Sequence, residues 1–136
     1  MPNNTLSSIN SLELVPVAFV SSFTSMGAQV ELETVRTPIN ADAIPGTITA
    51  QSSENGSVKN KQITYKRSPL CVETGTELTQ LLPVLLIAIY VDEFGNRRVC
   101  GSPACPLRLS FTISGGVYNC TLTGQSRDED PILALL

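Results

Sequence analysis

The chain has 136 residues, the length of one ordinary domain. Apolar residues make up 42% and charged residues only 15%, and 9 Lys and Arg against 12 Asp and Glu give a net charge of −3. This balance gives no electrostatic reason to bind a nucleic acid backbone, whereas a weakly charged surface tolerates subunit contacts.

Histidine is absent from the sequence. His is the usual general base near neutral pH and the commonest zinc-ligating nitrogen, so triads of the Ser-His-Asp or Cys-His kind are excluded within this chain. Tryptophan is absent too, which disfavours a stacking platform for bases or sugars. We therefore expect no enzymatic activity, no cofactor and no sequence-specific nucleic acid partner.

The first apolar segment is LELVPVAFV at residues 12–20, which contains Pro16. Because proline cannot donate to a central ladder, the segment is expected to be an edge strand or an N-terminal arm that lies on another surface. The predicted arm spans residues 1–23. The residues expected to make its contacts are Leu12, Val15 and Val17.

Neither a secretory signal nor a membrane span is expected. The N-terminal segment has no positive side chain before Arg36, so the charged region of a signal peptide is missing. The longest apolar run, residues 81–91, contains Pro83 and is far shorter than the roughly 20 residues that a spanning helix needs.

Two strand patterns follow in the first half of the chain. Residues 28–35, AQVELETV, predict a strand with Val30 and Leu32 on its inward face. Residues 46–67 predict a long polar hairpin with Asn55 and Gly56 in its turn, because both residues accept positive φ at low cost. This hairpin is expected either to project from the body and pair with a neighbour, or to stand solvated without a partner.

The segment TGTELTQLL predicts a short helix, because Thr74 followed by Glu77 matches a capping box. Pro83 ends the helix, and VLLIAIYVD continues as a strand buried on both faces or covered by that helix. The leucines expected on one face of the helix are Leu78, Leu81 and Leu82.

After the turn DEFGN the chain returns as RRVCG and then gives the amphipathic strand LRLSFTI. Gly115 and Gly116 predict a hairpin into VYNCTLTG. Residues 125–136 form a C-terminal tail expected to dock on its own domain or on a neighbouring copy through Ile132, Leu133 and Leu135. The side chains of LRLSFTI expected to point inward are Leu107, Leu109, Phe111 and Ile113.

The four cysteines do not form a zinc-site pattern, since the only close pair, Cys100 and Cys105, has the spacing C-x4-C with a proline inside it. Disulfides are not expected in a reducing cytoplasm. The interpretation that we favour places Cys120 in the core and leaves the others as free thiols. The acidic residues Asp92 and Glu93 and the cluster 128–130 are assigned to solvated turns.

Together these patterns predict a single domain over residues 1–136 that is mainly β, an antiparallel β-sandwich or curved barrel with one short α-helix. The order of helix, apolar strand ending in VDEFGNRR, then VCGSPACPLRL and an SGG hairpin also resembles small structural proteins of tailed phages and prophages of gut Bacteroidetes. The resemblance covers residues 73–124. The residues that carry it are Val91, Asp92, Gly95, Arg97, Arg98, Gly101, Ser102, Pro103, Pro106, Leu107, Arg108 and Leu109.

The resemblance implies a tail-tube-like or tail-terminator-like protein that forms a ring or tube at the tail or head-tail junction of a virion. Its partners would be copies of itself and other virion proteins, and it would not contact a membrane. It would be part of the virion, which is assembled in the cytoplasm of the bacterial host. Two alternatives remain open from the residues: a soluble β-sandwich module that recognises carbohydrate or protein, and a small metal-dependent enzyme that uses Cys and carboxylates.

Overall fold

The computed structural model describes residues 4–9, 11–44, 47–56, 58–91, 94–126 and 130–133. These residues are mainly β, with two sheets that do not close into a barrel and one α-helix, so the predicted β-sandwich class is confirmed. The elements are β1 Asn4–Ile9, β2 Leu12–Pro16, β3 Val20–Met26, β4 Gln29–Thr34, β5 Ile39–Asn40, β6 Ile48–Asn55, β7 Val58–Arg67, α1 Val72–Leu81, β8 Leu86–Val91, β9 Arg97–Cys100, β10 Arg108–Ser114, β11 Val117–Ser126 and β12 Ile132–Leu133.

Five strands form sheet A, in the order β1-β6-β7-β11-β10. Both hairpins predicted from turn residues are present in it, one turning at Gly56 and one at Gly115 and Gly116, and all three glycines have positive φ. The polar hairpin β6-β7 lies between β1 and β11, and β11 pairs with β7 as far as Lys59. Its arms are therefore interior strands of sheet A.

Seven strands form sheet B, in the order β3-β4-β12-β9-β8-β2-β5. Most neighbours are antiparallel, but β12 runs parallel to β4, where Leu133 lies beside Val30. The turn at residues 17–19 links β2, near one edge of sheet B, to β3, at the opposite edge. Its backbone donates from Val17 to Leu85, just before β8, and accepts at Phe19 from Val35, just after β4, so the turn is bonded to both neighbouring segments.

The apolar core has two parts, one between the sheets and one built from side chains of sheet B and of the turn at residues 17–19. Strand β8 contributes to both, because Leu86, Ala88 and Tyr90 face the first part while Ile87 and Ile89 face the second. The prediction of a strand buried on both faces is confirmed, and so is the inward orientation of Val30 in β4. Leu32 packs against the second part of the core while only partly buried.

The helix begins earlier than the capping box predicted. Cys71 is the N-cap residue, and its side chain makes no capping hydrogen bond. Thr74 lies inside the helix and faces the core, and Glu77 pairs with the guanidinium of Arg67 on β7. The capping-box interpretation is therefore wrong, because Thr74 lies inside the helix with its hydroxyl beside the Cys71 sulfur, and Glu77 pairs with Arg67 instead. Leu78 is fully buried beneath the helix, as predicted.

Strand β10 confirms the predicted alternation only over its first half. Leu107 and Leu109 are buried, and Phe111 is half-buried, but Ile113 is 60% exposed. The prediction that Ile113 points into the core is wrong, because the strand continues past the layer that covers its inner face.

Substitutions at two adjacent leucines test how much each side chain contributes to the stability of the core. Replacing the fully buried Leu86 with Ala should lower the free energy of unfolding by about 2 to 5 kcal/mol, because the change leaves a cavity between packed layers. Leu85→Ala is the matched control: Leu85 is 37% exposed, and its loss should cost about 1 kcal/mol or less. Urea denaturation measures both, and equal losses would contradict this description of the core.

Candidate assembly surface

Four described strands lie at sheet edges, β1 and β10 in sheet A and β3 and β5 in sheet B. Natural edge strands are protected from pairing with other chains by bulges, short length, charges or proline. Strand β1 has a register shift between Leu6 and Ile9, and β3 has one between Val20 and Ser22. Strand β5 has two residues. These three edges therefore carry recognisable protection.

Strand β10 is different, because it pairs with β11 in unbroken register from Arg108 to Ser114. Residues 109–114, LSFTIS, contain no charge and no proline. A regular, uncharged edge of this length is the kind that accepts a further strand.

The direction of the free backbone groups follows from the start of β10. Leu107 exchanges both of its backbone hydrogen bonds with Leu86, at 2.7 and 2.9 Å, and therefore points its N–H and C=O away from β11. In an antiparallel pair this direction recurs at every second residue. The N–H and C=O groups of Leu109, Phe111 and Ile113 consequently point to the outer side of β10.

A groove lies beside this edge, between helix α1 and the inner face of β10; we call it the α1–β10 groove. Its volume is about 580 Å³, and its walls are mostly apolar. Three apolar side chains near it are strongly exposed, Val72 at 84%, Ile113 at 60% and Leu70 at 44%. The remaining lining residues are Cys71, Gly75, Thr76, Thr79, Gln80, Phe111 and Tyr118.

Tyr118 sets the shape of the groove. Its hydroxyl donates to the carbonyl oxygen of Cys71 at 3.3 Å, and its ring meets that of Phe111 edge to face with centroids 5.6 Å apart. A Cβ at position 75 would lie 2.8 Å from the Tyr118 hydroxyl oxygen, so only glycine lets the helix lie this close to the sheet. The helix is thereby held over β11, and the inner face of β10 beyond it remains uncovered.

Cys71 brings a thiol into the groove. The Thr74 hydroxyl lies 3.3 Å from its sulfur, and the hydrogen bond from this hydroxyl is the main cause that lowers the pKa of Cys71. Hydrogen bonds to the thiolate at the start of a helix favour the charged form. Cys71 is thus a reactive chemical reporter of whether the groove is covered.

The alkylation rate of Cys71 should depend on Thr74. Thr74→Val removes the hydroxyl donor, raises the pKa of Cys71 and moves the onset of alkylation by iodoacetamide to higher pH, because less thiolate is present at each pH below the pKa. Peptide mass spectrometry across a pH series measures the rate, with Cys105 on a separate loop as internal control. An unchanged profile at Cys71 would contradict the assigned hydrogen bond.

The other three cysteines differ in burial: Cys100 and Cys120 are buried, and Cys105 is partly exposed. All four are free thiols. Burial raises the pKa of Cys100, reinforced by the charge of Asp130, and burial raises that of Cys120 as well. Cys120 lies in the core as predicted. Over the described part of the chain, no three His, Cys, Asp or Glu side chains are grouped as metal ligands would be.

The C-terminal tail docks on its own domain through a buried polar cluster. Lys61 of β7 donates from Nζ to Asp130 Oδ1 at 2.9 Å, and the Tyr90 hydroxyl of β8 donates to Asp130 Oδ2. Arg98 donates to the Asp130 carbonyl oxygen at 2.9 Å. Burial, and then the charge of Asp130, raise the pKa of Tyr90, so the phenol keeps its proton. This places Asp130 in a structural cluster, where the sequence had indicated a solvated turn.

Removing the carboxylate of this cluster should be costly. In Asp130→Ala the ammonium of Lys61, whose side chain is 3% exposed, loses its counterion, and the free energy of unfolding should fall by about 3 to 5 kcal/mol. Glu13→Ala breaks the pair with Arg97, whose side chains are 31% and 43% exposed, and should cost only about 0 to 1 kcal/mol. Chemical denaturation compares the two, and similar losses would show that the Lys61 pair is not a buried one.

The structure places the predicted contact residues of the arm inside the chain. Leu12 and Val15 are buried in β2, which pairs with β8 and β5, and Val17 packs against the second part of the core. Burial of apolar residues on both faces makes β2 a core strand, so Leu12 and Val15 present no surface to another subunit, whereas Val17 is partly buried.

The remaining predicted contact residues fall in three places. Gly56 forms the exposed hairpin turn, where Asn55 pairs with Val58. Ile132 and Leu133 form β12 between β4 and β9, half-buried in their own domain. Leu135 lies outside the described residues.

The sequence interpretation missed the residues that the structure brings together at β10. Ile113 and Phe111 were assigned to the core, and Val72 and Leu70 were not assigned to any surface. One signal was present in the sequence: residues 109–114 contain no charge, which a protected edge strand would normally carry.

A second depression, of about 900 Å³, lies between the β3-β4 turn and the loop at residues 101–104. Apolar side chains of Phe23 and Ile132 share it with Arg98, Ser102 and Asp130. Its mixed lining is of the kind that holds a small molecule or a peptide side chain.

Comparisons with known proteins give no assignment: no family model, no curated protein and no solved structure matches the chain. Across the described residues, no helix has the length and apolar character to cross a membrane.

Proposed function

We propose that the chain is a virion structural subunit of a tailed phage, which forms a ring or tube at the tail or head-tail junction by self-assembly. One observation carries the proposal: the unprotected edge of β10 lies directly beside the exposed apolar α1–β10 groove. An added strand would satisfy the backbone groups of Leu109, Phe111 and Ile113 and cover the groove at the same time.

The energetic case combines two contributions. Main-chain hydrogen bonds to an added strand fix its position and direction, and apolar burial supplies most of the free energy. Ile113 is 60% exposed and Val72 is 84% exposed, so covering each contributes on the order of 1 to 2 kcal/mol. The strand itself is already ordered by pairing with β11, and little conformational entropy remains to be lost on association.

The virion assignment is supported by the resemblance of residues 73–124 to phage structural proteins and by the low charge of the chain, 15%. A subunit surrounded by neighbours exposes much of its surface to protein, and a weakly charged surface lowers the desolvation cost of those contacts. The proposal therefore includes other virion proteins as partners, assembly in the host cytoplasm, and no catalytic activity.

The depression of about 900 Å³ favours a second candidate function, a β-sandwich module that recognises carbohydrate or protein. Its apolar walls, together with the guanidinium of Arg98 and the hydroxyl of Ser102, would hold a ligand with both apolar and polar groups. This candidate predicts a monomer that binds a ligand, whereas the assembly proposal predicts association without one.

The oligomeric state tests the assembly proposal. The wild-type chain should sediment as an oligomer, and Ile113→Lys should shift it at least tenfold in concentration toward the monomer, because a charge in the groove must be desolvated on association. Val35→Lys is the matched control, since Val35 is an exposed apolar residue, 69% exposed, that does not line the groove. Its sedimentation should equal that of the wild type.

Sedimentation velocity over a wide concentration range measures all three chains, and circular dichroism verifies that each is folded. A wild-type monomer at the highest concentration would overturn the proposal of self-assembly and leave the binding module. Equal dissociation by Ile113→Lys and Val35→Lys would retain self-assembly but remove the groove from it.

A further inference from the structure

We infer that the partner of β10 is β10 of a second copy, paired antiparallel about a two-fold axis at Phe111, so that two sheets A join into one continuous sheet. The inference rests on the proposed self-assembly and specifies its contact. It follows from the edges of this chain, from the register that uses the most backbone groups and from the distribution of charge.

The edges of the chain select β10 as its own partner. Strands β1 and β3 are interrupted by register shifts, and β5 spans two residues, so none of them offers an unbroken ladder as long as β10. A two-fold axis brings the same patch of both copies together and reverses the strand direction, which gives an antiparallel pair. Such pairs of subunits can be joined into larger rings with dihedral symmetry through a second contact.

One register uses all three residues of β10 whose backbone groups point outward, whereas an axis centred on Ser110 or Thr112 would use only two of them. Residues whose N–H and C=O groups point outward must face one another, and these are Leu109, Phe111 and Ile113. Centring the axis on Phe111 places Leu109 opposite Ile113 of the second copy and uses all three. Centring it on Leu109 would require Leu107, whose groups are bonded to Leu86, and centring it on Ile113 would place Phe111 opposite Gly115 in the turn.

Side chains fit this register on both faces of the sheet. On the inner face, the exposed Ile113 would lie beside Leu109 of the second copy, and the two Phe111 rings would face each other across the axis. On the outer face, Ser110 would lie opposite Thr112, a pair of hydroxyl side chains that is favourable across strands. Arg108, the one charge on β10, would lie opposite Ser114, so no like charges meet.

Disulfide trapping tests the register. In the double variant Ser110→Cys and Thr112→Cys, residues 110 and 112 of opposite copies form a non-hydrogen-bonded pair with Cα atoms about 4.5 Å apart. That separation lies within the range that a disulfide bridges. Cys71 and Cys105, the two half-exposed native cysteines, are replaced by Ser in every chain of the experiment.

The double variant should form a disulfide-linked dimer under mild oxidation at least tenfold faster than either single variant. In a single variant the two thiols are offset by two residues along the strands, which exceeds disulfide reach. An equal mixture of the Ser110→Cys and Thr112→Cys chains should also cross-link, because each supplies one half of the pair. Non-reducing electrophoresis and intact mass measure the products, and circular dichroism establishes that each variant is folded.

Sedimentation of the chain with Cys71 and Cys105 replaced by Ser, the background chain, distinguishes the proposal of self-assembly from the proposal of β10 pairing. Rapid cross-linking of the double variant and of the mixture, with slow cross-linking of each single variant, would establish the pairing about Phe111. If the background chain assembles but the double variant cross-links no faster than the single variants, the β10 pairing is wrong and self-assembly stands. If the background chain is monomeric and no variant cross-links, both proposals fall.

Discussion

The two layers of this domain depend on one carboxylate. Asp130 accepts from Lys61 of sheet A and from Tyr90 of sheet B, and its carbonyl accepts from Arg98. The buried ammonium of Lys61 is stable only with an anion beside it. The contacts with Lys61 and Tyr90 therefore hold Asp130 in position, and Asp130 in turn links the two sheets. Strand β12 follows within two residues and is thereby held between β4 and β9.

The two ends of the sandwich differ in how the layers cover strand β10. At one end the layers are joined directly, because Leu86 of sheet B and Leu107 at the start of β10 exchange two backbone hydrogen bonds. Toward the other end helix α1 packs against Tyr118 of β11. Burial of the inward side chains therefore declines along β10 until Ile113 is largely exposed. The candidate surface therefore consists of side chains that continue the apolar face of β10 past the point where the opposite layer covers it.

Local patterns predicted the local structure well. Positive φ at Gly56 and Gly115 follows from turn chemistry, and the burial of β8 on both faces follows from its unbroken apolar run. Sequence could not give the order of strands in the sheets, because pairing between distant segments leaves no periodic signal. For the same reason it assigned Ile113 to the core: alternation identifies a face but not how far the opposite layer extends. The anchoring role of Asp130 depends on residues far away in sequence and left no local pattern.

The placement of β12 has a consequence for the order of folding. Sheet B consists of the hairpin β3-β4 on one side and β9-β8-β2-β5 on the other, and β12 is the strand between them. During synthesis the hairpin leaves the ribosome early, yet its neighbour in the sheet is made after all the other described strands. Such distant pairing slows the final closure of a domain. Until that closure the inner edge of β4 remains unpaired, so the nascent chain exposes an edge that the finished domain conceals.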